Sequence, residues 1–130
     1  MTDLWGDIPS GKDLISPHSI LVAQASLLAG KTDGLLVGRA LRSSDNDHNF
    51  TSLLQIIAPT LNNYSYSVCA VTYDVTLWPA KFASYSKPTW PDWVSCPNAE
   101  SLKMRLGAEL HSEEVRRVLA GLSAQIRADE

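Results

Sequence analysis

Apolar runs of strand length follow one another between residues 35 and 79, each bounded by turn residues, and this constrains the fold more than any other feature. The runs are 35–41, 50–58, 64–73 and a shorter 76–78 closed by Pro79. The links between them are short enough for neighbours to pair antiparallel. The expectation is a meander of three to four strands, with the rest of the chain arranged to cover it.

Details of these runs carry further expectations. Gly38 in mid-strand implies either a bulge or a close backbone approach by a helix. Leu53, Leu54, Ile56 and Ile57 leave little alternation, which suits a central strand covered on both sides. Uninterrupted alternation over 64–73 would put Tyr64, Tyr66, Val68, Ala70 and Thr72 on one face. Ser65, Ser67, Cys69, Val71 and Tyr73 would take the other.

Three helices are expected around this sheet. Ser16-Pro17 is a cap followed by a first-turn proline, opening a helix that reaches residue 28 or 29, with Gly30 as its stop. Its composition is so apolar that burial on most sides is expected. Asn98 caps a second helix over 99–110, and Ser112 a third over 113–128. Val115, Val118, Leu119, Leu122 and Ile126 form a helical stripe in the third, with acids at its start and Arg127 near its end.

Two segments fall outside these elements. Residues 1–15 read as an irregular arm held to the body by Leu4, Trp5 and Ile8, because an exposed indole leaves a large apolar area in water. Residues 80–98 read as a long loop rich in proline and aromatics, a type that is often functional.

A chain of 130 residues is expected to form a single domain over 1–130 with a core of its own. The net charge of −3 argues against a nucleic-acid partner, which would meet a basic face. No apolar run is long enough to span a membrane, and the acids near the start are unlike a secretion signal, so a cytoplasmic location is expected. Cys69 and Cys96 are too few for a disulfide framework. Cys69 reads as a core residue, and a bridge between the two is not expected in a reducing compartment.

The densest group of possible ligands is Asp45-Asn46-Asp47-His48-Asn49. Its alternating carboxylates resemble the opening of a calcium loop, but Phe50 stands where the turn glycine belongs and Ile56 where the bidentate Glu belongs. One adjacent His does not complete a zinc set. No cofactor or metal is expected. For His18, His48 and His111, catalysis would need a nucleophile nearby in space, which sequence order does not show, and no nucleophile elbow or phosphate loop occurs. Cys96 reads as a loop thiol rather than a nucleophile.

Tyr85, Trp90 and Trp93 have two readings. They either fold back to close the open side of the sheet or sit at the surface and anchor a partner, as aromatic residues do at interfaces. Asp45 and Asp47 at a hairpin tip, with His48 beside them, could then steer a basic partner through their carboxylates. These six residues are the candidate partner-binding set.

The order helix, meander, two helices is similar in outline to many small bacterial α+β proteins, some immunity proteins among them. The likeness covers size and element order only and carries over no functional residue. The sequence therefore reads as an α+β domain with an antiparallel sheet, one N-terminal helix and two C-terminal helices. The function it favours is a non-catalytic protein-binding module, such as an immunity-type inhibitor, with another protein or a second copy as partner. The alternatives are a small enzyme or ligand-binding protein with a pocket between sheet and helices, and a structural homo-oligomer.

Overall fold

The computed structural model describes residues 2–45, 47–86 and 91–128. Helix α1 (Pro17–Lys31) leads into strands β1 (Val37–Ser44), β2 (Phe50–Ala58), β3 (Tyr64–Tyr73), β4 (Ala80–Ser84) and β5 (Val94–Cys96). Helices α2 (Ala99–Leu110) and α3 (Glu113–Ala128) follow. The fold is α+β: the strands form a single antiparallel meander in the order β1-β2-β3-β4-β5.

The sheet has five strands, one more than the longest meander the sequence suggested. Residues 76–78 are not a strand. Asp74 organises a turn there, its carboxylate accepting from the Thr76 backbone N–H at 2.8 Å and from the Thr76 hydroxyl. Leu77 takes a left-handed backbone (φ 77°), and the Trp78–Pro79 peptide bond is cis. The next strands come from the segment expected to be a loop: β4 and β5 pair with each other, Ala80 opposite Cys96 and Phe82 opposite Val94.

Continuous alternation fails in β3. Leu54 stands opposite Cys69, but the next residue, Gln55, stands opposite Ser67, so Val68 is an extra residue in a bulge. Tyr73, Val71 and Cys69 share a face with Tyr66 and Tyr64 beyond the bulge, a set the uninterrupted pattern would have split.

All three helices lie on one face. Gly38 is a point of close approach: a Cβ added there would stand 2.6 Å from the Ala25 Cα of α1. Of the two readings of this glycine, close helix approach is the one realised, and the bulge lies elsewhere. α1 crosses β1 and β2, while α2 sits over β4 and β5. α3 reaches the same face, where Val115 and Leu119 line one groove together with Leu54, Ile56 and Val68. Leu21, Leu36, Leu102, Leu106, Val71 and Val115 are among the fully buried side chains of the core between the layers.

No described helix lies on the second face of β2, yet Ile57 is buried there and Thr51, Leu53 and Gln55 are half-buried, so the expectation of a doubly covered strand holds only in part. That face also carries a polar ladder. Arg39 donates to Gln55 Oε1 through Nε and Nη2 at 3.2 and 2.9 Å, and Gln55 Nε2 donates to the Ser67 hydroxyl at 3.3 Å.

Helix boundaries follow local chemistry. Ser16 caps α1, its hydroxyl accepting from the Ser19 N–H at 3.1 Å. Gly30 stays inside the helix rather than ending it. The stop is built by Thr32, whose hydroxyl is within 3.0 Å of the Leu28 and Leu36 carbonyls and accepts from the Leu36 N–H. Asn98 and Ser101 form a reciprocal capping box at α2. The stripe of α3 packs inward through Val115, Leu122 and Ile126.

Two expectations about burial are corrected. Val22 and Leu27 of α1 are exposed, so this apolar helix is buried on one side rather than on most. The arm does not pack its apolar residues on the body: Leu4 is 92% and Trp5 82% exposed, and Ile8 is exposed as well. What fixes the chain entering α1 is Trp78, whose indole N–H donates to the Ile15 carbonyl at 2.9 Å.

Candidate functional site

Asp45, Asp47 and His48 lie in the β1–β2 loop, fully at the surface. The Asp45 carboxylate accepts from the backbone N–H groups of Asp47 and Asn49, both at 2.9 Å, so it serves its own turn. His48 completes that turn with a left-handed backbone, φ 67°. Among the described residues no three His, Cys, Asp or Glu side chains gather closely enough to hold a metal ion.

Tyr85 and Trp93 flank the opposite end of the β4–β5 hairpin, each 38% exposed. Trp90 lies outside the described residues. The Tyr85 N–H donates to the Val68 carbonyl at 3.1 Å, which extends the β3–β4 pairing by one bond. Phe50, at the β1–β2 loop, pairs with Tyr73, whereas Ser84, next to Tyr85, pairs with Cys69. That interval of β3 separates the acidic loop from the aromatic pair by about 13 Å along the strands, at ~3.3 Å per residue. The structure does not bring the two halves of the proposed partner-binding set onto one patch.

Two polar clusters escaped the sequence reading because their members are far apart in the chain. His18 Nδ1 lies 2.9 Å from the Ser52 hydroxyl, which lies 3.3 Å from the Tyr73 hydroxyl. A Ser–His contact is the beginning of a nucleophilic site, but Ser52 is 0% exposed. No substrate reaches its oxygen, and the relay ties α1 to β2 and β3. Burial, aided by the Arg42 guanidinium, holds the His18 pKa below its ordinary value. The second cluster joins α2 to the end of β4. Glu109 Oε1 accepts from the Ser84 hydroxyl at 2.5 Å and from the Ser86 hydroxyl at 3.3 Å.

Both cysteines are free and buried. Cys69 pairs with Ser84 on β4 while Cys96 pairs with Ala80, so they stand two strands apart and out of register. Burial pushes both thiols above their ordinary pKa, Cys69 far more, with Arg105 partly opposing the shift at Cys96. Neither has the lowered pKa that makes a thiol nucleophilic.

A concave feature lies where the helices meet. A groove of about 290 Å³ runs between α1 and the α2–α3 turn, with the sheet as its floor. Leu27 and Leu28 form one wall, Val115 and Leu119 the other, and Leu54 and Ile56 the base. Gly38 contributes to the floor, so the close approach of α1 that it permits also helps set the groove. Lys31, His111 and Arg116 stand in the lining, which contains no carboxylate. The His111 ring is oriented by Nδ1, which donates to the Gly107 carbonyl at 2.9 Å, leaving Nε2 for another partner.

A second depression of about 270 Å³ continues along α1, sharing Gln24 with the first. Ile15, Ile20 and Ala23 line it together with Lys103, which is 3.5 Å from Glu100. It too has no carboxylate in its lining. Glu109 and Glu114 of the α2–α3 region lie near Tyr66, outside both linings; with burial, their charges raise the Tyr66 pKa.

The groove therefore combines an apolar floor, walls that run from exposed Leu27 through half-buried Leu28 and Leu119 to buried Val115, and unpaired cations. Among the described residues neither Lys31 nor Arg116 has a carboxylate within ion-pair distance. The sequence offers one partial signal, the excess of apolar residues in α1 beyond what one face of a sheet can cover. No family model matches the chain, and neither a curated protein nor a solved structure matches it at a significant level.

Proposed function

We propose that the chain is a non-catalytic protein-binding module whose docking site is the groove between α1 and the α2–α3 turn. Its occupant is a short protein segment that alternates apolar side chains with carboxylates. The observation that carries this reading is the lining itself. Leu27, Leu28, Val115 and Leu119 offer walls for apolar anchors, and Lys31 and Arg116 supply charge with no acid beside them in the groove. The chain's own net charge is negative, so the cationic groove is a local departure from the rest of the molecule. Blocking a partner's segment is the mode of an inhibitor, and an immunity-type role toward a bacterial partner fits this chemistry.

A titration with synthetic peptides tests the reading. Acidic apolar peptides are expected to bind and basic apolar ones of equal length to bind at least about tenfold more weakly, a difference of ~1.4 kcal/mol. Leu119→Glu and Arg116→Glu should each weaken the acidic peptides, with the fold checked by circular dichroism. Equal binding of both peptide classes, or binding indifferent to both substitutions, overturns it.

The groove's size also favours a second reading, a binding site for a small amphipathic acid. Its 290 Å³ is near the lower bound of ordinary ligand pockets, about 300 Å³. Native mass spectrometry of the purified chain separates the two: a retained small molecule lost on Leu119→Glu supports this second reading.

A further inference from the structure

The chain carries a segment of the kind the groove fits. The arm reads Asp3-Leu4-Trp5-Gly6-Asp7-Ile8, then Asp13-Leu14-Ile15, with carboxylates set between large apolar side chains. Leu4 and Trp5 are the most exposed large apolar residues of the described chain, and Ile8 and Leu14 are exposed too. An indole buries roughly 150–250 Å² when it finds a site. The arm has local order without packing on the body: the Asp3 carboxylate accepts from the Trp5 N–H at 2.9 Å, and the Leu14 N–H donates to the Gly11 carbonyl at 3.0 Å.

We infer that the partner is a second copy of this chain, whose arm lies in the groove with Trp5 between the walls and Asp3 and Asp7 against Lys31 and Arg116. This rests on the docking reading of the groove and names its occupant. Three observations support it. The arm is acidic and apolar, while the groove is apolar with cations and no carboxylate in its lining. The arm starts at the second depression, which Ile15 lines and which shares Gln24 with the groove farther along α1. Within one chain the arm stays away from its own groove, as the exposure of Leu4 and Trp5 shows. Between Trp5 and Ile15 the chain extends to at most about 36 Å, enough to pass along α1, which is about 22 Å long. Reciprocal exchange gives a two-fold dimer in which each arm–groove contact occurs twice.

Sedimentation velocity of the full chain over a range of concentrations tests this, with Trp5→Ala, Leu119→Glu and Arg116→Glu as variants. The wild type is expected to dimerise. Each variant should weaken dimerisation at least about tenfold, and Arg116→Glu, on an exposed position, does so without touching the core. An equimolar mixture of Trp5→Ala and Leu119→Glu should associate more tightly than either alone, since one has an intact groove and the other an intact arm. A wild type that stays monomeric overturns the inference, whether its arm is loose or folded onto its own groove. So does a dimer that survives all three substitutions. If the wild type is monomeric yet acidic peptides bind the groove, only the identity of the occupant is wrong; if they do not bind either, the docking reading falls with it.

Discussion

Gly38 is the residue on which the two layers bear most directly. With α1 backbone atoms inside 3 Å of where its Cβ would be, alanine forces helix and strand apart. Gly38→Ala should cost about 1–3 kcal/mol, the usual range for overpacking, seen as a lower urea midpoint. His18 makes a pH-dependent contribution. Its folded pKa lies below the unfolded value of about 6.5, so the unfolded chain takes up the proton first as pH falls. The stability it supplies is complete above that unfolded value and is lost as pH drops below it toward the folded one. Urea midpoints between pH 8 and pH 5 should fall less steeply for His18→Gln than for the wild type; parallel curves would contradict this. Cys69 and Cys96, buried and with raised pKa, should react with a thiol reagent only as fast as the chain opens. The capacity of Gly38 for close approach was readable from the sequence, because a glycine in mid-strand has few uses. The Ser52–His18 contact was not, since it joins residues 34 apart through a packing that no local pattern encodes.

At the scale of elements, legibility followed the strength of local signals. α2 and α3 were readable to their ends because caps and apolar periods agree there. Asn98→Ala removes one half of the capping box and should lower stability by about 1 kcal/mol, measured by thermal or urea unfolding. β4 and β5 were not readable. Ala80-Lys81-Phe82-Ala83-Ser84 has no β-branched residue, and a three-residue strand such as β5 has no period to detect. Their pairing is imposed by the free edge of β3, which offers partners from Cys69 to Thr72. The alternation of β3 misled for a related reason: the bulge at Val68 changes which side chains share a face, and nothing in the residue types announces it. The arm misled in the other direction. Exposed Leu4 and Trp5 contradict the rule that large apolar groups seek the body, and that departure is what marks them as candidates for a contact outside it.

For the whole molecule, a sheet with all three helices on one face leaves a seam where the helices meet, and the groove is that seam. It draws residues from α1, β1, β2, β3, α2 and α3, so no single stretch of sequence could have revealed it. The sequence directed attention to the acidic loop and the aromatic segment, which the fold places at different ends of the strands. An NMR titration of the full chain with an acidic apolar peptide, followed through backbone amide shifts, tests the central claim most directly. The account predicts saturable shifts centred on Leu27, Lys31, Gly38, Arg116 and Leu119, lost in Leu119→Glu. Shifts confined to residues 45–49 or to Tyr85 and Trp93, or no saturable shifts at all, would contradict it.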